Sequence, residues 1–87
     1  MPAYRDKEEG TVVRAQQWLG SKKSWDWIQA LEGLEWAPGA PDKKEFYILT
    51  PDGYSLVKDT DYVVEVKEGV FKRMRELDFI SQYERVR

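Results

Sequence analysis

The sequence predicts an α+β fold, a single helix packed on an antiparallel sheet of about five strands that could close like a barrel, with a short helical turn near the C-terminus. Three observations carry this reading. Alternating runs rich in β-branched and aromatic residues recur at Thr11–Trp18, Glu45–Val57 and Tyr62–Met74. A helical apolar stripe occurs between Ser24 and Leu34, and the helical and extended segments are segregated instead of alternating.

Taken in order, residues 1–10 are polar, charge-rich and end in Gly10, and are expected to form a flexible tail ahead of one α+β domain over 11–87. The first strand starts at Thr11, with Val13, Ala15 and Gln17 on one face and Val12, Arg14, Gln16 and Trp18 on the other. Gly20 to Ser24 break it and open a helix. Ser24 is the expected N-cap, because Asp26 then lies in the first turn while Lys22 and Lys23 stay outside. A helical wheel groups Trp27, Ile28, Leu31 and Leu34, sets Trp25 opposite them, and makes Gly33 the stop. Residues 34–44 are punctuated by Pro38, Gly39 and Pro41 and read as a loop carrying Trp36. Glu45–Thr50 and Tyr54–Val57 form a hairpin about Pro51-Asp52-Gly53, and Tyr62–Val66 and Val70–Met74 form a second about Gly69. Phe79, Ile80 and Tyr83 have helical spacing, giving a helical turn before extended residues 83–86.

Eighty-seven residues leave room for one core, which four Trp, five Tyr and three Phe can fill. The chain has no Cys and no His. Disulfides, thiolate metal sites and the commonest general base are therefore missing, and neither catalytic residues, a metal site nor a cofactor is expected. Asp59, Asp61 and Glu65 lack the glycine-centred spacing of calcium loops, and turn chemistry accounts better for the two aspartates. A net charge of −2 gives neither a strong DNA mimic nor a phosphate-binding excess of cations. No apolar run approaches the ~20 residues of a membrane span and the first residues lack a signal-peptide apolar core, so a cytoplasmic protein without membrane contact is expected.

Two classes of function remain. An interaction protein would use Trp25, set apart from the apolar stripe, and the loop residue Trp36 as partner-binding anchors. The competing reading, favoured for Trp25 and evenly balanced for Trp36, is that Trp25 folds back over the first helical turn or packs on the loop after the first strand and Trp36 plugs one end of the core. A homodimer is a variant of this class, through unpaired strand edges. The alternative is a small nucleic-acid or nucleotide module using Lys72, Arg73 and Arg75 for phosphate. It ranks second because strand alternation splits these cations between two faces, where Glu65 or Glu68 could neutralise them.

Val13-Arg14-Ala15-Gln16-Gln17-Trp18 at the start, with Asp61-Tyr62-Val63-Val64, Gly69, Phe71, Phe79 and Tyr83-Glu84 at the end, resembles a family of small proteins of tailed bacteriophages. That family opens on Val-x-Ala-x-Gln-Trp and closes on Gly-Asp-Tyr, two aliphatics, a turn Gly, a Phe, and then Phe and Tyr-Glu. Here Thr60 and Val66 stand where glycines are usual, and Lys72–Glu76 replaces a Tyr-Pro-Cys-Lys-Pro stretch. The resemblance brings no assigned activity. It implies a phage origin, and with it the interaction reading becomes a non-enzymatic accessory protein that binds a host or phage protein in the cytoplasm of a bacterial host, for host takeover or counter-defence.

Overall fold

The computed structural model describes residues 3–36 and 44–86, so most of the Pro- and Gly-rich loop lies outside the described residues. Its elements in chain order are β1 (Ala3–Asp6), β2 (Val12–Gln17), α1 (Lys22–Gln29), β3 (Phe46–Thr50), β4 (Gly53–Val57), β5 (Tyr62–Lys67), β6 (Val70–Met74), α2 (Glu76–Gln82) and β7 (Tyr83–Arg85). Five strands form an antiparallel sheet in the order β6-β5-β2-β1-β7, and β3 and β4 pair with each other as a separate two-stranded ribbon.

Period-two alternation sends neighbouring residues of this sheet to opposite faces, and each face has its own core. Val13, Ala15, Val64 and Met74 meet Phe79 of α2 and Tyr83 on one face. Trp18, Val63 and Phe71 meet Ile28, Leu31 and Leu34 together with Phe46, Ile48 and Val57 of the ribbon on the other. The result is an α+β domain in which α2 covers one face and α1 with the ribbon covers the other. The sheet does not close into a barrel. β6 and β7 end it on opposite sides, and the ribbon stacks on the sheet instead of bridging them.

The expected tail is corrected as well. Residues 3–6 are a strand between β2 and β7, because Tyr4 packs edge-on against Phe79 at 4.8 Å and the Asp6 carboxylate is fully engaged. Asp6 accepts the N–H groups of Glu8 at 2.8 Å and Glu9 at 3.0 Å and the Gln82 amide at 3.1 Å, which turns the chain towards β2.

The helix starts earlier than expected. Ser21 is the N-cap, and Ser24 is the third helical residue of a reciprocal capping box. Ser24 is wholly buried, and its hydroxyl accepts from the N–H groups of Leu19 and Ser21 while donating to the Ser21 carbonyl. Two satisfied N–H groups outweigh the mild dipole preference that favours Ser24. The helix also stops at Gln29, before Gly33. Leu31 donates to Ile28 and Leu34 to Leu31 through three-residue turns, so both leucines reach the core from beyond the helix.

Thr60 has φ +76°, a left-handed conformation that costs a side-chain-bearing residue about 1–2 kcal/mol. It is kept there by the turn: Thr60 donates to Trp18 O at 2.8 Å, and Lys58 and Asp61 exchange bonds across it. Thr60→Gly is expected to stabilise the domain by about 1 kcal/mol after the entropy of glycine is counted, read by denaturant melts. An unchanged midpoint would show that the turn is not strained.

The Asp6 carboxyl lies below its ordinary value of 3.8, held there first by the Glu9 N–H, then by Gln82 and the Glu8 N–H. On acidification the unfolded chain takes up this proton first, so the stabilisation is complete above pH about 4 and is lost as pH falls through the lower folded value. Amide exchange across β1 and β7 should therefore quicken in that window, and Asp6→Asn should flatten the pH dependence there.

Candidate functional site

The capping box sets the rotation of α1, and with it the environment of three tryptophans. Trp25 faces inward. Its ring lies 6.0 Å from Trp18, 4.9 Å from Phe46 and 5.7 Å from Trp36, all edge-to-face. Trp18 is buried, with its indole N–H donating to Lys44 O at 2.8 Å. Trp36 forms a bridge to Ile48 beside β3. Trp25 and Trp36 are thus brought together as half-buried members of one aromatic cluster on the core covered by α1 and the ribbon.

Trp27 points the other way and is 44% exposed, with the Lys23 ammonium 5.0 Å from its ring centre. The wheel misplaced it because Leu31 and Leu34, which lie outside the helix, drew the stripe towards it. Within Lys22–Gln29 the buried positions are Ser24 and Ile28, with Trp25 beside them. The Lys23-x-x-x-Trp27 spacing was the available sign of an exposed ring.

Trp27, Leu19 and Ala30 form one wall of an open groove of about 600 Å³, with Tyr4 and Tyr62 opposite and Gln16, Gln17 and Ala15 between. Leu19 is 49% exposed. The far wall is firmly built: Tyr62 stacks on Phe79 at 3.9 Å and 9°, and Tyr4 meets Tyr62 edge-on at 6.3 Å. Gln17 ties it to neighbouring elements, donating to Thr60 O at 3.0 Å and to Glu76 at 2.7 Å. Burial, followed by the proximity of Tyr4 and Glu76, raises the Tyr62 hydroxyl above its ordinary value of 10.0, so it stays protonated near neutral pH. Among the described residues, Arg85 is the one formally charged side chain lining the groove.

The phosphate candidates are dispersed. Lys72 lies opposite Val64 on the α2 face of the sheet, whereas Arg73 lies opposite Val63 on the other. Arg73 pairs with Asp61 at 3.6 Å, not with Glu65 or Glu68, because Glu65 is already held by Arg14 and by the Gly69 N–H. Arg75 is the uncapped N-cap residue of α2. Arg73, Arg75 and Lys58 share a groove of about 460 Å³ with Asp59, Asp61, Glu76 and Asp78, so its lining carries more acid than base. Asp61 fills the turn role, its carboxylate accepting the Lys58 N–H at 2.9 Å. Among the described residues no group of three or more acidic side chains is placed to hold a metal ion.

Compared with known proteins, the chain matches no family model, no curated protein and no solved structure.

The two helix tryptophans should separate cleanly by mutation. Trp25→Ala is expected to cost about 3 kcal/mol, the low end for a buried aromatic, and Trp27→Ala under about 1 kcal/mol. Urea melts with a matched fluorescence and circular-dichroism readout check this; equal losses would mean that Trp27 is also structural.

Proposed function

We infer that this domain is a non-enzymatic accessory protein that binds a partner protein through the Trp27 groove. The observation that carries the reading is an exposed indole and an exposed leucine standing over a wall of packed tyrosines, in a chain whose other three tryptophans pack into or against one core. Exposed Trp and Tyr beside a cation are typical of binding hot spots. Trp25 and Trp36 then act indirectly, by fixing α1 and the Trp36 segment, and Trp27 with Leu19 makes the contact.

Charge defines the partner segment. Arg85 in the groove and Lys23 over Trp27 provide positive potential on a chain whose net charge is −2. The complementary segment offers an aliphatic or aromatic side chain next to Asp, Glu or a terminal carboxylate. The resemblance to tailed-phage proteins supplies the setting, a host or phage protein in the bacterial cytoplasm. Catalysis has no support in the residues, since no Ser has an activating base beside it and Ser21 and Ser24 are consumed by the capping box.

A tagged pull-down from host lysate, with and without nuclease, tests the reading. Wild type should retain the same protein in both arms, and Trp27→Ala should reduce its recovery at least about tenfold while the domain stays folded. Undiminished recovery with Trp27→Ala would refute the groove as the contact. Recovery that vanishes with nuclease and falls steeply with salt would transfer the assignment to Lys72, Arg73 and Arg75.

A further inference from the structure

The free strand edges of the described structure are protected, with one exception. β6 carries Lys72 and Arg73, β7 carries Glu84 and Arg85, and the outer side of β3 is met by Glu35 and Trp36. Charges and covering segments of this kind are how edges avoid pairing with other chains. β4 reads Gly53-Tyr54-Ser55-Leu56-Val57 and has neither a charge nor a proline.

Its unpaired backbone groups can be identified. Leu49 donates its N–H to Glu35 O at 2.9 Å, away from β4, so Leu49 and its partner Tyr54 form a non-hydrogen-bonded pair of the ladder. Tyr54, and by alternation Leu56, therefore turn their N–H and C=O groups to the outside of the ribbon. No described residue takes these groups. The side chains of the same two residues share the outer face of the ribbon with their cross-strand partners, Leu49 and Tyr47. Tyr47 is 49%, Leu49 37% and Tyr54 59% exposed, and none of these side chains is charged.

We propose that β4 is the pairing edge of a two-fold dimer, in which β4 of a second copy lies antiparallel to it with Ser55 on the axis. This register sets Tyr54 against Leu56 of the second copy, and these are the residues whose backbone groups point outward, so donors and acceptors match on both sides. It also gives an aromatic–aliphatic pair on the outer face, repeated by symmetry. The two ribbons become one four-stranded sheet with a continuous apolar face. Charge complementarity selects a second copy as occupant: Lys72 and Arg73 line the groove beside Tyr54 and Ser55, and the two-fold register sets the exposed Asp52 of each copy opposite the exposed Lys58 of the other. β4 shares no lining residue with the Trp27 groove, so partner capture and dimer formation are separable.

The natural chain has no cysteine, so Ser55→Cys places a single thiol on the proposed axis. Across a non-hydrogen-bonded antiparallel pair the Cβ atoms lie about 4.5–5.5 Å apart, close enough to join after slight adjustment. Wild type should sediment as a species of twice the 10.3 kDa chain mass, with a population that rises with concentration. Ser55→Cys should oxidise to a covalent dimer. Tyr54→Lys, at an exposed position, should raise the dissociation constant about tenfold or more while its circular dichroism stays native. A wild-type monomer at all concentrations would overturn the proposal. So would a dimer that survives Tyr54→Lys while the thiol of the Ser55→Cys variant stays reduced.

Discussion

Two adjacent valines set the terms for the rest of the fold. Val63 and Val64 of β5 are both wholly buried, one in each core, which is possible only if the sheet is covered on both faces. Each buried valine contributes about 1.5–3 kcal/mol relative to exposure, but only while its own cover remains in place. α2 and Tyr83 provide one cover, and α1 with the β3–β4 ribbon provides the other. An 87-residue chain divided between two cores has little aliphatic volume for each, and large rings fill the gap. Phe79 stacks with Tyr62 and Tyr83 on one side, while Trp18, Trp25, Trp36 and Phe46 interlock on the other.

This division explains where apolar surface is left over. Once Ser24, Trp25 and Ile28 face the sheet, the short helix has no further inward position for Trp27, and the ring remains at the rim beside Leu19. The ribbon likewise uses one face for Phe46, Ile48 and Val57 and leaves Tyr47, Leu49 and Tyr54 outside. Exposed aromatic patches on a small domain are commonly binding surfaces. The electrostatics differ between the two: Lys23 and Arg85 border the first, whereas Asp52 accompanies Lys72 and Arg73 beside the second. We accordingly propose the first as the site of a foreign acidic segment and the second as the seat of self-pairing.

Much of this was legible in the residues. Strands β2 to β6 and the turns at Gly53 and Gly69 followed from alternation and turn chemistry, and the helical turn ending at Tyr83 followed from spacing. β1 escaped notice because its stability resides in the Asp6 hydrogen bonds and in contacts with α2 and β7 from the far end of the chain, which no local pattern reports. Sheet openness was equally invisible, since alternation fixes faces but not which edges meet. Trp27 was assigned to the inner face by a stripe that ran past the end of the helix, and the helix start was placed three residues late. A capping box with serine at both ends is quieter in sequence than one completed by Glu or Gln, and the leucines beyond Gln29 imitated a longer stripe. The cations of β6 were correctly split between faces, yet Arg73 found Asp61 at a strand entry instead of a glutamate across the ladder.

The most direct test of the account is hydroxyl-radical footprinting of the free chain and of its affinity-purified complex, read residue by residue by mass spectrometry. Trp27 and Leu19 should be oxidised readily in the free chain and protected in the complex, while Trp18 stays unreactive in both and Trp25 reacts weakly in both. Trp25 labelled as fast as Trp27 in the free chain, or Trp27 labelled equally in both states, would contradict the assignment of the groove.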